Sequence, residues 1–243
     1  MSRFKGFRVK RLMIYVFTLI LISGSAYILG WSSVLTVQAV SITGTSSQPE
    51  ILRKLEADSL EFGVGSKLAR IETRAIKRSI GNLTWIDEAK VSRDWFSRQI
   101  QINVVEKVAV AKAITSDSGL VNFDSLGQMF EPISASQQAI QEKLPLVITQ
   151  GSDRAQLASV ATLLAQMPKD MSELIANLKA ITVANSGFIE MQTKIGERSI
   201  QINWGSAQDI NQKIEVLNAL LKLPENKRIN RVDLSQPELP IVS

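Results

Sequence analysis

The 243-residue chain contains no cysteine and no histidine. Without cysteine it forms no disulfide, so its folded parts must be held by their hydrophobic cores alone. Without histidine it lacks the commonest general base and the commonest metal ligand. These two absences count against an enzyme, and they predict a protein with no metal site and no cofactor.

Charge is missing from a long stretch near the start of the chain. Residues 12–49 carry no charged side chain, whereas residues 1–11 carry five positive and no negative ones. Residues 12–31 form an apolar run of the roughly 20 residues that cross a bilayer as one helix. Because Lys and Arg remain on the cytoplasmic side, the sequence predicts a cytoplasmic basic tail (1–11), a transmembrane helix (12–34) and an exported remainder. The pattern therefore predicts a single-pass type II membrane protein.

A cleaved signal peptide is the alternative for the same segment. Residues 12–22 have the length of a signal-peptide core, and residues 23–26 are the small residues that precede a cleavage site. Against cleavage, the apolar run resumes at Tyr27. Either interpretation places the rest of the chain outside the cytoplasm.

The positive net charge comes from the leader. The chain has 28 Lys and Arg against 23 Asp and Glu, and the five cations of residues 1–11 account for the whole excess. A nucleic-acid-binding protein instead clusters basic residues on a folded surface. We therefore expect a membrane protein with neither a nucleic-acid partner nor a small-molecule substrate.

The exported part reads as two modules. Residues 35–107 show a strand (36–45), a helix beginning at the Ser47–Glu50 capping box, a second helix (68–83) and a hairpin (88–95 and 99–107). Residues 108–235 show short strands with flanking helices at 153–167 and 207–222 and a closing strand at 230–234, followed by a tail (236–243). The predicted class is α+β, with a β-α-α-β-β module followed by a mixed β domain.

Groups for chemistry are scattered. Gly63-Val-Gly65-Ser-Lys67 lacks the spacing of a phosphate-binding loop. We expect the turn carboxylates Asp117 and Asp124 to be solvated surface groups, and no pair of carboxylates has an arguable catalytic separation. The sequence therefore predicts no catalytic residue.

Residues 85–111, WIDEAKVSRDWFSRQIQINVVEKVAVA, carry a recognisable pattern. They resemble the hairpin signature of the FtsQ/DivIB family of bacterial cell division proteins. The matching positions are Ala89, Val91, Arg93, Trp95, Val104, Glu106, Val110 and Ala111. Phe96, Lys107 and Val108 depart from the family pattern, in which proline, arginine and proline are usual.

The resemblance extends along the chain. Residues 120–127 and 144–146 are similar to the family's strand-and-turn motifs. Trp204-Gly205 followed by a helix with Lys213, and the segment 231–235, are similar to its last elements. The order of basic tail, membrane helix, polypeptide-transport-associated (POTRA) module (35–107) and β domain (108–235) is the family's order.

The resemblance implies a non-catalytic scaffold of the divisome that links early and late division proteins and helps to control septal wall synthesis. It implies a cell-membrane location at the division septum, with bitopic coiled-coil division proteins and other divisome membrane proteins as partners. The alternatives are a membrane-anchored cell-wall enzyme and another POTRA-bearing assembly factor.

Two groups of residues are the expected sites. Extended partner segments are expected to pair with a bare edge left by the last strand, since nothing downstream is long enough to cover it and Pro237 and Pro240 discourage pairing. The predicted partner-binding residues are Arg231, Val232, Asp233, Leu234, Ile241 and Val242. The predicted hairpin residues are Arg93, Trp95 and Glu106, with Trp95 a core or hairpin aromatic and an Arg93 that stacks on it or pairs with Glu106. The alternative to this structural role is a partner-binding surface on the POTRA module.

Overall fold

The computed structural model of the chain describes residues 3–30, 35–115, 119–149 and 153–243. These residues form helices and two β-sheets, so the fold is mixed α+β as the sequence predicts. The chain divides into two compact units, Met1–Glu106 and Lys107–Ser243.

The first element is a helix, α1, over Arg3–Gly30. Its described apolar side chains, beginning with Leu12 and Met13, are exposed. Among the described residues, none of the helices combines the length and the apolar character needed to cross a membrane. Residues 31–34 of the predicted membrane segment lie outside the described part of the chain.

The first unit continues with a small sheet and two helices. Its elements are β1 (Ala39–Thr43), α2 (Gln48–Ala57), a 3₁₀ helix (Leu68–Arg70), α3 (Thr73–Gly81), β2 (Ile86–Asp94) and β3 (Gln99–Glu106). In the described residues the sheet has the order β1-β3-β2, with β1 parallel and β2 antiparallel to β3. Ile100, Ile102 and Val104 point from β3 into the core, as their alternation predicts.

Two details of this unit differ from prediction. The helix predicted at 68–83 begins as a 3₁₀ turn, and the α-helix starts only at Thr73 because Ile71 is extended. The capping box predicted at Ser47 is wrong. Ser47 makes no capping hydrogen bond with its side chain, and Glu50 instead pairs with Arg53 on the same helix.

The second unit is built on a large mixed sheet. Its strands are β4 (Ala111–Thr115), β5 (Gly119–Phe123), β6 (Met129–Phe130), β7 (Leu146–Thr149), β8 (Ala180–Val183), β9 (Ile189–Ile195), β10 (Arg198–Gly205), β11 (Arg231–Asp233) and β12 (Ile241–Val242). Its helices are α4 (Ala135–Gln141), α5 (Arg154–Gln166), α6 (Ser172–Ala176) and α7 (Ile210–Lys222). Within the described ranges, the sheet order is β12-β11-β10-β9-β8-β7-β4-β5-β6.

One face of this sheet carries the core of the unit. Alternate strand residues, including Phe123 and Trp204, pack against the apolar faces of α5, α6 and α7. The two strands of each parallel pair are connected by a segment of chain that contains a helix. The helix α7, for example, follows β10 and precedes β11 in the sequence. The strands β10 and β11 therefore pack on the same core as α7.

Candidate functional site at the terminal sheet edge

Of the two edges of the large sheet, the one at its C-terminal strands is formed by β12 and not by β11. Val232 lies opposite Val242 and Asp233 opposite Ile241 in an antiparallel pair. The expectation of a bare edge at residues 231–234 is therefore wrong, and two residues of the predicted tail belong to the sheet. The prolines do not prevent this pairing, because Pro237 and Pro240 lie in the connection and not at a paired position.

The register shows which backbone groups of β12 face the open edge. The amide of Arg231 donates to the carbonyl of Ser243 at 3.0 Å, and the amide of Ser243 donates back at 3.1 Å. In an antiparallel ladder such exchanging pairs alternate with pairs whose amide and carbonyl point away from each other. The N–H and C=O of Val242 therefore point to the open side, while Pro240, two residues earlier, offers only a carbonyl.

The predicted partner-binding residues fall into two groups. Val232 and Leu234 are completely buried in the core. Arg231 is exposed, Ile241 is 68% exposed and Val242 is half-buried against the core. Only the second group is available to a partner, and the first fixes the strand in place.

Asp233 stabilises the turn that leads into β12. Its Oδ2 accepts a hydrogen bond from Asn203 Nδ2 at 2.9 Å, and its Oδ1 accepts from the amide of Ser235 at 2.9 Å and from the Ser235 hydroxyl at 2.6 Å. Burial raises the pKa of the Asp233 carboxyl, but the hydrogen bonds from Ser235 and Asn203 and the charge of Arg231 outweigh it. The pKa therefore lies below its ordinary value of 3.8.

A glycine allows the same turn to approach β10. Gly205 has φ +64°, and a Cβ added there would lie 2.9 Å from Ser235 Cα. A side chain at this position would both strain the backbone and push the Ser235 turn away from the sheet. Gly205 of the Trp204-Gly205 pair therefore lies where β10 contacts the Ser235 turn that leads to β12.

A buried lysine locks α7 to the end of β10. Lys213 is only 2% exposed, and its Nζ donates to the carbonyl oxygens of Trp204 and Ser206, both at 2.8 Å. Burial lowers the pKa of the Lys213 ammonium, and the nearby charge of Asp209 only partly opposes this. The ammonium thus acts as a fixed donor for two carbonyls at the end of β10.

The structural role of Lys213 was not deduced from its sequence. A signal was present, because Ile210, Lys213, Ile214 and Leu217 are the buried positions of α7 and have the spacing of one helical face. A lysine in the middle of an apolar face must find acceptors inside the protein.

Of the two contacts predicted for Arg93 in the hairpin, the structure has the contact with Trp95 and not the pair with Glu106. Arg93 donates from Nη2 to the carbonyl of Ile71 and lies 6.0 Å from the centre of the Trp95 ring, so the stacking contact is present. Glu106 instead accepts from Thr45 Oγ1 at 2.5 Å. Pairing of Arg93 with Glu106 is wrong, because Arg93 lies opposite Ile100 and Glu106 lies at the other end of the hairpin.

Trp95 is not a core residue. It is the first residue of the turn after β2 and is 40% exposed, so of the two predicted places for this ring, the core is wrong and the hairpin is correct. The alternation that suggested burial ends at Asp94, where the strand ends.

One predicted surface carboxylate is buried. Asp124 is 8% exposed, accepts from the amides of Leu126 and Gln128, both at 2.9 Å, and lies 3.7 Å from Lys107 Nζ. The β5–β6 turn closes around the carboxylate, so Asp124 is structural. Asp117 lies outside the described residues. Within the described ranges, no group of three or more acidic side chains is placed to hold a metal ion.

Together these features describe a mixed α+β protein that presents the edge of a large sheet. A family model described as "Cell division protein FtsQ/DivIB, C-terminal" matches residues 113–235. The cell division protein FtsQ of Streptomyces collinus is 27% identical over 244 residues, which covers 97% of this chain and 89% of the relative. The FtsQ of Streptomyces bingchenggensis (strain BCW-1) is 26% identical over 238 residues, with 94% and 83% covered. The chain belongs to the FtsQ/DivIB family of cell division proteins.

Proposed function

We propose that the chain is a non-catalytic, single-pass membrane scaffold of the bacterial divisome, linking early and late division proteins and helping to control septal wall synthesis. The observation that carries the proposal is the open edge at β12 in a member of the FtsQ/DivIB family. Such an edge serves assembly, because it recognises an extended segment of another protein through its backbone.

The proposed topology rests on charge and on exposed apolar surface. Residues 1–11 are the cytoplasmic tail and residues 12–34 the membrane segment, because five cations precede an uncharged stretch of 38 residues. The exposed aliphatic and aromatic side chains of α1, which start at Leu12, are a surface that lipid tails would cover. On this proposal residues 35–106 of the first unit and the whole second unit lie outside the cytoplasm and gather at the septum.

The part of the first unit that follows the membrane segment is proposed to be the POTRA module, residues 35–107. Its β-α-α-β-β order and its three-stranded sheet of described residues, with β1 parallel to β3, support that assignment. The second unit is proposed to be the β domain that receives the partners.

The proposed partner site is the β12 edge. An extended segment of a bitopic coiled-coil division protein would pair with the N–H and C=O of Val242. Exposed Ile241 and Arg231 would contact its side chains. Strand addition of this kind gives affinity through the backbone and specificity through alternate side chains.

The test is photo-crosslinking in dividing cells. A photo-reactive amino acid at position 241 should capture a small single-pass coiled-coil division protein. The same group at Ser199, which is exposed on β10 of the same sheet, should not. Val242→Pro removes an amide that points away from β11 and leaves the hydrogen bonds between Arg231 and Ser243 in place, so it should abolish capture. Val242→Ala removes the half-buried side chain but keeps the amide, so it is the matched control and should preserve capture. Equal capture from both positions, or capture that survives Val242→Pro, would falsify pairing at this edge.

A further inference from the structure

Three exposed apolar side chains lie at one end of the first unit. Phe96 is fully exposed, Val64 is 72% exposed and Trp95 is 40% exposed. Trp95 and Phe96 begin the turn between β2 and β3, and Val64 lies in the loop after α2. A cluster of large apolar side chains that the protein leaves uncovered marks a surface for a membrane or a partner.

Both loops lie beside residues 36–38, the segment that leads into β1. The amide of Gln38 donates to the carbonyl of Arg98 at 2.8 Å, which joins the segment to the β2–β3 turn. On its other side, the amide of Val37 donates to the carbonyl of Ser66 at 2.8 Å, and the amide of Gly65 donates back at 2.9 Å. Val64 and the aromatic turn therefore lie on the two sides of residues 36–38.

This end of the unit is also the end nearest α1. The helix α1 lies against the 3₁₀ helix Leu68–Arg70, which directly follows the loop that carries Val64. If α1 is the membrane segment proposed above, the two loops face the outer surface of the same bilayer.

The turn holds its aromatic residues outward. The carboxylate of Asp94 accepts hydrogen bonds from the amides of Phe96 and Ser97, both at 3.0 Å. The hydrogen bonds from Ser97 keep the pKa of Asp94 below its ordinary value of 3.8, so the carboxylate stays charged and keeps the turn fixed. The turn that carries the exposed Phe96 is therefore already ordered, and docking would not have to order it.

The chemistry of the surface fits a lipid headgroup region. Trp, and aromatic rings generally, prefer the boundary between acyl chains and headgroups. In water the fully exposed Phe96 ring makes no apolar contact, whereas acyl chains would remove it from water.

We propose that Val64, Trp95 and Phe96 form a membrane-docking tip that dips into the interface of the bilayer beside the anchor. This inference rests on the proposed topology. The tip gives the unit a second attachment to the bilayer and so fixes its orientation relative to the membrane.

The chain has no cysteine, so single cysteines can carry a polarity-sensitive fluorophore without background. The full chain is reconstituted in vesicles of phosphatidylcholine and phosphatidylglycerol that contain nitroxide-labelled lipid. Val64→Cys reports on the tip and Ser23→Cys on α1. Ser46→Cys, exposed beyond the far end of β1, is the control.

The labels at positions 23 and 64 should be quenched several-fold more strongly than the label at position 46. Adding Phe96→Ser to the Val64→Cys chain should lose most of the quenching at position 64. Val105→Ser, at an exposed valine near the other end of β3, should not change it.

Quenching at position 23 without quenching at position 64 would leave the anchor standing and overturn the docking tip; the aromatic turn would then be a surface for another protein. Absence of quenching at position 23 would overturn the anchor, and the tip with it. Equal quenching at positions 46 and 64 would mean that the unit lies on lipid without using the tip, which also overturns the inference.

Discussion

Replacing Lys213 with methionine removes the ammonium group and keeps an unbranched side chain that is only one atom shorter. The carbonyl oxygens of Trp204 and Ser206 then lose their donor at a site that is almost completely buried. An unpaired buried acceptor costs about 1–3 kcal/mol. Removing a buried charge returns part of its desolvation energy, so we expect a net loss of about 1–3 kcal/mol in the free energy of unfolding.

The loss can be measured by urea unfolding. For a unit of this size the urea m-value is about 2 kcal/mol/M, so the midpoint should fall by about 0.5–1.5 M. Trp204 reports on the second unit specifically when the other three tryptophans, at positions 31, 85 and 95, are replaced by phenylalanine. The matched control is Lys222→Met, because Lys222 is exposed on the same helix.

Loss of the Lys213 ammonium is also expected to affect the β12 edge. Lys213 holds the end of β10, and Gly205 at that end touches the Ser235 turn leading to β12. Lys213→Met should therefore weaken crosslinking from position 241 as well. A midpoint equal to that of Lys222→Met would refute the proposed role of the buried ammonium.

Three further outcomes follow from single positions. Gly127→Ala should destabilise the second unit by more than about 2 kcal/mol, since the position has φ +71° and its new Cβ would lie 2.2 Å from the Arg154 carbonyl oxygen. Gly119→Ala, with a similar φ of +67° and open space around it, separates backbone strain from this clash in a thermal melt. Because the folded pKa of Asp233 is lowered, its stabilisation is present above the ordinary value of 3.8 and is lost as pH falls through the folded pKa. In urea titrations between about pH 6 and pH 3, Asp233→Asn should therefore flatten part of the acid-induced decline. Trp95→Ala should cost only about 1–2 kcal/mol in the unfolding of the first unit, in keeping with partial burial; a loss above about 3 kcal/mol would instead indicate a packed ring.

The elements that were predicted well depend on local patterns. Ile100, Ile102 and Val104 alternate along β3, and the two antiparallel strands β9 and β10 show the same period. The buried residues of α7 recur at helical spacing, so the helix is evident from its sequence. In these segments the side chains alone determine which face is buried.

The elements that were missed depend on distant partners. The strand β12 has two residues, and only its pairing with β11 defines it. The short helix α4 begins at a capping box formed by Ser134 and Gln137 within a polar stretch that has no apolar period. The burial of Asp124 requires the β5–β6 turn to close and Lys107 to lie nearby, and neither is visible in the residues next to it.

The parallel pairing of β1 with β3 imposes an order on how the first unit folds. Ala39 lies opposite Gln99, whereas the β2–β3 hairpin closes across a short turn. The entropy of closing the longer loop exceeds that of the hairpin by about 2–3 kcal/mol. The hairpin is therefore expected to form first, within about 1–10 μs, and β1 to add to it afterwards. Until β1 arrives, β3 has an unpaired side, and during that interval a strand from a second nascent chain can compete for the same place.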